Sequence, residues 1–138
     1  MAAYNKFRAF VEHLAEKVHD LGADALTLAL TAAASAPVNT NSVLADLTQI
    51  SYTNLSARTL TISSSSQSAG TYSLVLADKV LTASGTVAGF RYTVVYNDTP
   101  TSPADPLIGW YDYTSDLVLL NGETFTVDFD PSGIFTIA

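Results

Sequence analysis

Between Leu107 and Ile137 the sequence alternates so regularly that it leaves room for little besides antiparallel strands. Phe125, Val127 and Phe129 alternate with Thr124, Thr126 and Asp128. A period of two puts one set of side chains on a buried face and the other in water. Ahead of this run stand Leu107-Ile108-Gly109-Trp110-Tyr111-Asp112-Tyr113 and Leu117-Val118-Leu119-Leu120; after it comes Ile134-Phe135-Thr136-Ile137. Asn121-Gly122 can take the positive φ angles of a two-residue hairpin turn, so it is expected to join the runs that flank it. Asp130-Pro131-Ser132-Gly133 fits a type I turn, with Asp first, Pro second and Gly fourth. The expectation is an antiparallel meander with no spare residues for a catalytic loop.

The same period recurs upstream. Leu26, Leu28 and Leu30 predict a strand over residues 25–31, and Leu60 and Ile62 one over 58–63. Tyr72, Leu74 and Leu76 predict a third over 71–77, continued after Asp78-Lys79 by Val80–Ala83. Phe90, Tyr92, Val94 and Tyr96 predict a fourth. Between them, Ser63–Gly70 is a polar low-complexity run expected to be a mobile loop. The three prolines of residues 97–106 forbid ladder pairing there. Residues 43–50 fit a short helix capped by Ser42 or a strand. One stretch has helical period: Phe7, Phe10, Val11, Leu14, Val18 and Leu21 share a face over residues 5–21, with Asn5 as N-cap and Gly22 as C-cap. The predicted fold is mainly β: an antiparallel β-sandwich or jelly roll with one N-terminal α-helix. Residues 1–24 would form a helical arm and 25–138 the β-sandwich domain.

Composition narrows the function classes. The chain has 138 residues and no Cys, so thiolate chemistry and Cys-based metal sites are excluded. Net charge is −7, of which −6 falls after residue 24, and this argues against a phosphate-backbone partner. No apolar run reaches the roughly 18 residues of a membrane span. The opening residues lead into an amphipathic stretch and not an apolar secretion signal.

The candidates for chemistry are weak. His13 and His19 lie about 240° apart on a continuous helix, so they should be solvated and unable to share a metal. Asp128–Gly133 resembles the start of a calcium loop, but the twelfth ligand position falls at residue 139 and strands flank it, so a turn is expected. Asp112, Asp116 and Glu123 lack an apolar pocket and a matched partner group. No Gly-x-Ser-x-Gly elbow accompanies the many serines, and Gly85–Gly89 lacks the Lys of a phosphate loop. No enzyme activity and no cofactor are therefore expected. Trp110, Tyr111, Tyr113, Tyr92 and Tyr96 read as core packing, as interface anchors or as a carbohydrate platform.

Several blocks together resemble a family of small structural proteins from the virions of tailed bacteriophages. They are Tyr4-Asn5-Lys6-Phe7 with Phe10-Val11 and Leu14-Ala15, His19–Gly22, Leu28–Thr31, Ala36-Pro37-Val38 and Val43–Asp46. Further on they are Phe90-Arg91-Tyr92, Tyr96-Asn97-Asp98, Asp105–Tyr113 and Gly122–Val127. The match covers nearly the whole chain in order; its specificity lies in the helical arm occurring with Leu-Ile-Gly-Trp-Tyr-Asp-Tyr. Ser51–Ser56 departs from it, standing where a Gly-rich turn is expected in relatives. The resemblance implies a non-enzymatic virion component, most directly a capsid decoration (cement) protein on the capsid exterior whose partner is the major capsid protein. A tail, head–tail adaptor or fibre component, including a carbohydrate-binding one, is the alternative. Neither nucleic acid nor membrane is expected as a partner.

A homo-oligomer, dimer or trimer, is also expected, joined through the helix or the Ala32–Asn41 arm. Six large apolar side chains on one helix face would forfeit on the order of 10 kcal/mol if left wet. The interface candidates are Phe7, Phe10, Val11, Leu14, Val18, Pro37, Trp110 and Tyr111. A helix folded back over one end of its own sandwich remains an equal alternative.

Overall fold

The computed structural model of the protein describes residues 2–138. Its strands are β1 (Tyr4–Lys6), β2 (Leu26–Thr31), β3 (Ile62–Ser68), β4 (Thr71–Leu76), β5 (Lys79–Thr82), β6 (Phe90–Asn97), β7 (Leu107–Leu117), β8 (Thr124–Val127) and β9 (Phe135–Ile137). The single α-helix among the described residues, α1, spans Ala9–Ala15. All strand pairings are antiparallel, in sheets ordered β1-β7-β6-β2, β3-β4-β9 and β5-β8. The expected class, mainly β with antiparallel sheets and one helix, is the observed one.

The four-stranded sheet is covered on both faces, which explains why β2 is buried at every position. On one face Leu26, Leu28, Leu30, Val95, Ile108 and Tyr111 meet Phe10 and the apolar residues of β4, β5 and β8 in the main core. On the other, Ala29, Val94, Tyr96 and Leu107 pack with Phe7, Leu44, Leu47 and Trp110. The alternation read from sequence is therefore real, but the face expected to be wet is also used.

The helix differs most from expectation. Residues 4–6 are a strand, paired Tyr4↔Tyr111, Asn5↔Trp110 and Lys6↔Gly109. Within the expected 1–24 arm, β1 pairs with β7 and so belongs to the main sheet. The helix also stops early. Lys17 takes φ +65°, and the Val18 N–H donates to the His13 carbonyl at 2.9 Å while the Lys17 N–H donates to that of Leu14 at 3.4 Å. These are the two bonds of a Schellman cap. A lysine thus fills the left-handed position that the sequence pattern assigns to Gly22.

Two further segments depart from their sequence patterns. The serine run is not a loop: it is β3, paired with β4 through Ser64↔Val75 to Ser68↔Thr71. Ala69 and Gly70, at φ 49° and 83°, make the two-residue turn between them. Residues 43–50 contain only a 3-10 turn, Leu44–Asp46, held by the Asp46 carboxylate. It accepts from the N–H groups of Ser42 (2.8 Å) and Val43 (3.2 Å), and these bonds hold its pKa below the usual carboxylate value.

The meander expectation also changes. β7, β8 and β9 follow one another in sequence but lie in three different sheets. Asn121-Gly122 does turn the chain, yet it delivers β8 to β5 and not back to β7, with the Gly122 N–H bonded to the Ala83 carbonyl at 2.8 Å. The Asp130–Gly133 turn is as expected: the Gly133 N–H donates to the Asp130 carbonyl at 3.0 Å, and the Asp130 carboxylate accepts from the Ser132 N–H at 2.8 Å.

Gly109 shows how tightly β1 docks. A Cβ there would enter the Tyr4 ring and lie 2.7 Å from the Asn5 carbonyl oxygen. Gly109→Ala is expected to push β1 off β7 and cost about 1–3 kcal/mol, as overpacking does. Thermal melts would show it, and faster exchange of the β1 amides would localise it.

Candidate functional site

The residues singled out from sequence separate into three groups. Phe7, Phe10, Pro37 and Tyr111 are buried by the chain's own elements. Phe7 stacks on Trp110 with ring centroids 4.5 Å apart, and Phe10 meets Phe135 edge-on at 5.1 Å. Leu14, Val18 and Trp110 are half-buried, and Val11 is 53% exposed. The two Phe of the amphipathic segment are therefore covered in cis and not by a neighbour. The physical reason is the short helix: β1 anchors one end on β7, so Phe7 turns to one face of the sheet and Phe10 to the other.

Trp110 and Tyr111 are neighbours on a strand and so face opposite sides of the sheet. Tyr111 packs inward on Phe129 at 5.8 Å, and Trp110 lies over Phe7. They do not form one flat aromatic platform. Tyr113 packs at 89° on Phe125.

What α1 leaves open is a groove. Two depressions of about 540 and 380 Å³ adjoin and share Leu14 and Ile137. The first is floored by Leu21 and Tyr72, with Lys17 and Asp20 also lining it. The second runs past Phe10, Val11 and Phe135. Val11 and Ile137, at 53% and 42% exposure, are among the exposed large apolar residues.

The histidines are not the solvated pair expected from a continuous helix. Because the chain reverses at Lys17, the His19 ring returns to 6.2 Å from that of His13 and 5.2 Å from Phe10. His19 is 7% exposed. Its Nδ1 lies 3.0 Å from the Asn97 amide nitrogen, which also donates to Asp24 Oδ2 at 2.6 Å. The Asn97 Oδ1 accepts from the Thr99 N–H at 3.1 Å, which fixes the amide's orientation. His19 Nδ1 is therefore an acceptor, and the proton sits on Nε2. Burial pushes the His19 pKa down to about 4; His13 adds to this and Asp24 opposes it. Sequence reasoning missed this cluster because the left-handed turn at Lys17 has no glycine to announce it.

Elsewhere the charged groups are peripheral. Arg91 holds Asp112 with two hydrogen bonds, 2.7 and 2.9 Å, and Asp112 also caps the Thr114 N–H at 2.8 Å. That contact with Arg91 is the main reason the Asp112 pKa is lowered. Among the described residues no three His, Asp or Glu side chains are gathered as a metal site, and no helix is long and apolar enough to cross a membrane. No family model, curated protein or solved structure matches the chain.

Proposed function

We propose that this protein is a non-enzymatic structural component of a tailed-phage virion, most directly a capsid decoration protein that binds and stabilises the major capsid lattice from outside. The observation that carries the reading joins sequence and structure. Two of the blocks that carry the resemblance, Tyr4–Phe7 and Leu107–Tyr113, are paired with one another as β1 and β7. Phe7 against Trp110 completes the unit. These two blocks therefore form one packed unit of the fold.

The surface chemistry is compatible with such a role. Charged residues make up 14% of the chain, against about 25% in typical domains, so Ser, Thr and Ala supply much of the contact surface. The α1 groove offers an apolar seat for a neighbouring capsid segment. A homo-oligomer belongs to the same proposal, formed through a surface other than Phe7 and Phe10. A fibre or tail component remains the second reading; its carbohydrate form cannot use Trp110 and Tyr111 side by side.

Copy number in purified virions tests the proposal. Antibody labelling and quantitative mass spectrometry are expected to find many copies spread over the shell. A few copies confined to the tail would favour the second reading, and absence from virions would end both.

A further inference from the structure

We infer that the open edge of β3 is a self-association site, where a second copy of this chain adds its own β3 antiparallel across a twofold axis. The inference names the surface of the homo-oligomer proposed above. It stands or falls in solution, whatever the protein's place in a virion.

β3 is an outer strand of the β3-β4-β9 sheet. The hairpin closes on the Ser68↔Thr71 pair through a two-residue turn. In such a hairpin the closing pair exchanges both backbone bonds, and bonded pairs then alternate with non-bonded ones. Ser66↔Ser73 is therefore bonded, and Ser65 and Gln67 turn their N–H and C=O groups away from β4. They form a row of free donors and acceptors, which is a template for another strand.

The other strand edges are shorter or occupied. At the far side of the same sheet β9 is three residues long, with Phe10 and Tyr4 packed on its Phe135 at 5.1 and 6.1 Å. The outer edge of β2 is taken by residues 58–60, through Leu28 N–H to Arg58 at 3.0 Å and Leu60 N–H to Leu26 at 2.8 Å. β5 is flanked by Leu55 and Ser56, the latter bonded to Thr82 at 3.0 Å. β3 has seven residues, five of them, Ser64–Ser68, in regular register after an irregularity between Ile62 and Ser64, and it is the longest edge strand left open.

Edge strands are normally protected by charge or proline. From Thr59 to Ala77 there is no Asp, Glu, Lys, Arg or Pro, and β9 adds none. In a chain of net charge −7 this is a sheet that two copies can bring together without opposing like charges. The uncharged sheet thereby favours a second copy as the occupant. From Ser63 on, the strand carries hydroxyls, one amide and no large apolar group, so it gives a foreign strand little to recognise by side chain. Against itself, antiparallel, it is matched in length and polarity, and facing serines can hydrogen-bond across the pair. A twofold closes the contact, giving one six-stranded sheet in the order β9-β4-β3-β3-β4-β9.

Sedimentation of the full chain over a wide concentration range tests this. The expected result is a reversible monomer–dimer equilibrium, reaching twice the 14.6 kDa chain mass. The double variant Ser66→Lys/Ser68→Lys, at two exposed positions, is expected to weaken the dimer at least tenfold with unchanged circular dichroism and melting. It makes the chain less acidic, so relief of general repulsion would act the other way. Gln67→Pro, which removes an outward N–H, should also weaken the dimer, with some loss of melting temperature because the Gln67 side chain accepts from the Gly70 N–H at 3.1 Å. Val80→Lys on the exposed side of β5 should not. Amide exchange at Ser65 and Gln67 should slow as concentration rises. A monomer at every concentration, a trimer, open-ended growth, or a dimer indifferent to both β3 variants would each overturn the inference.

Discussion

Phe10→Asp is expected to leave the chain unfolded. Phe10 is 3% exposed and sits where α1, β9 and the His19 turn meet, against Phe135 and the His19 ring. Truncating such a side chain alone costs about 3–5 kcal/mol. A carboxylate left there without a partner adds a desolvation penalty of several kcal/mol more. The sum matches the whole stability of an ordinary domain, about 5–15 kcal/mol. Leu14→Asp is expected to behave differently. Leu14 is half-buried on the open groove, so its carboxylate can turn to water, at a cost of about 1–2 kcal/mol for lost apolar contact. Circular dichroism and thermal melts separate the two variants. A Phe10→Asp protein that melts near the native temperature and loses only self-association would show that the helix is a docking arm after all.

Acidification to pH 4.5 is expected to remove on the order of 1–2 kcal/mol of stability through His19, once solvent screening is allowed for. Its folded pKa, about 4, lies below the ordinary histidine value of 6.5. The unfolded chain therefore takes up the proton first as pH falls. The contribution is complete above about 6.5, declines below it and is exhausted near the folded value. The cause is burial first: the ring lies against Phe10, His13 nearby adds to the cost of charging it and Asp24 opposes. A second proton would go on Nδ1, which faces the Asn97 NH₂ at 3.0 Å. Asp46 and Asp112, both lowered by hydrogen bonds, lose their contributions only at more acidic pH. Asp105, raised by burial and by Asp98, works in the opposite sense. Urea unfolding at pH 7.5, 6.0 and 5.0 should show the decline, and His19→Gln should flatten it. An unchanged slope in that variant would assign the loss to carboxylates.

Local pattern was enough to specify several segments. Alternation at Phe125–Phe129 specifies extended backbone, since a period of two makes a continuous buried row only there. In Phe90–Tyr96 an irregularity after Phe90 leaves Phe90 in the main core and Val94 and Tyr96 on the other face. Asp130-Pro131-Ser132-Gly133 specifies its turn because each residue type suits one backbone position of it. The amphipathic face announced that Phe7 and Phe10 must be covered.

Tertiary structure decided what covers them and which strand meets which. Backbone hydrogen bonds are the same for every residue, so nothing in the pattern of β7, β8 and β9 names their partners; three different sheets claim them. The serine run had no apolar alternation to mark it and is a strand because β4 supplies its ladder. His19 became a buried base because a lysine accepted a left-handed turn, a strain of about 1–2 kcal/mol offset by packing that forms only when residues distant in sequence, Asn97 and Phe135 among them, are already in place.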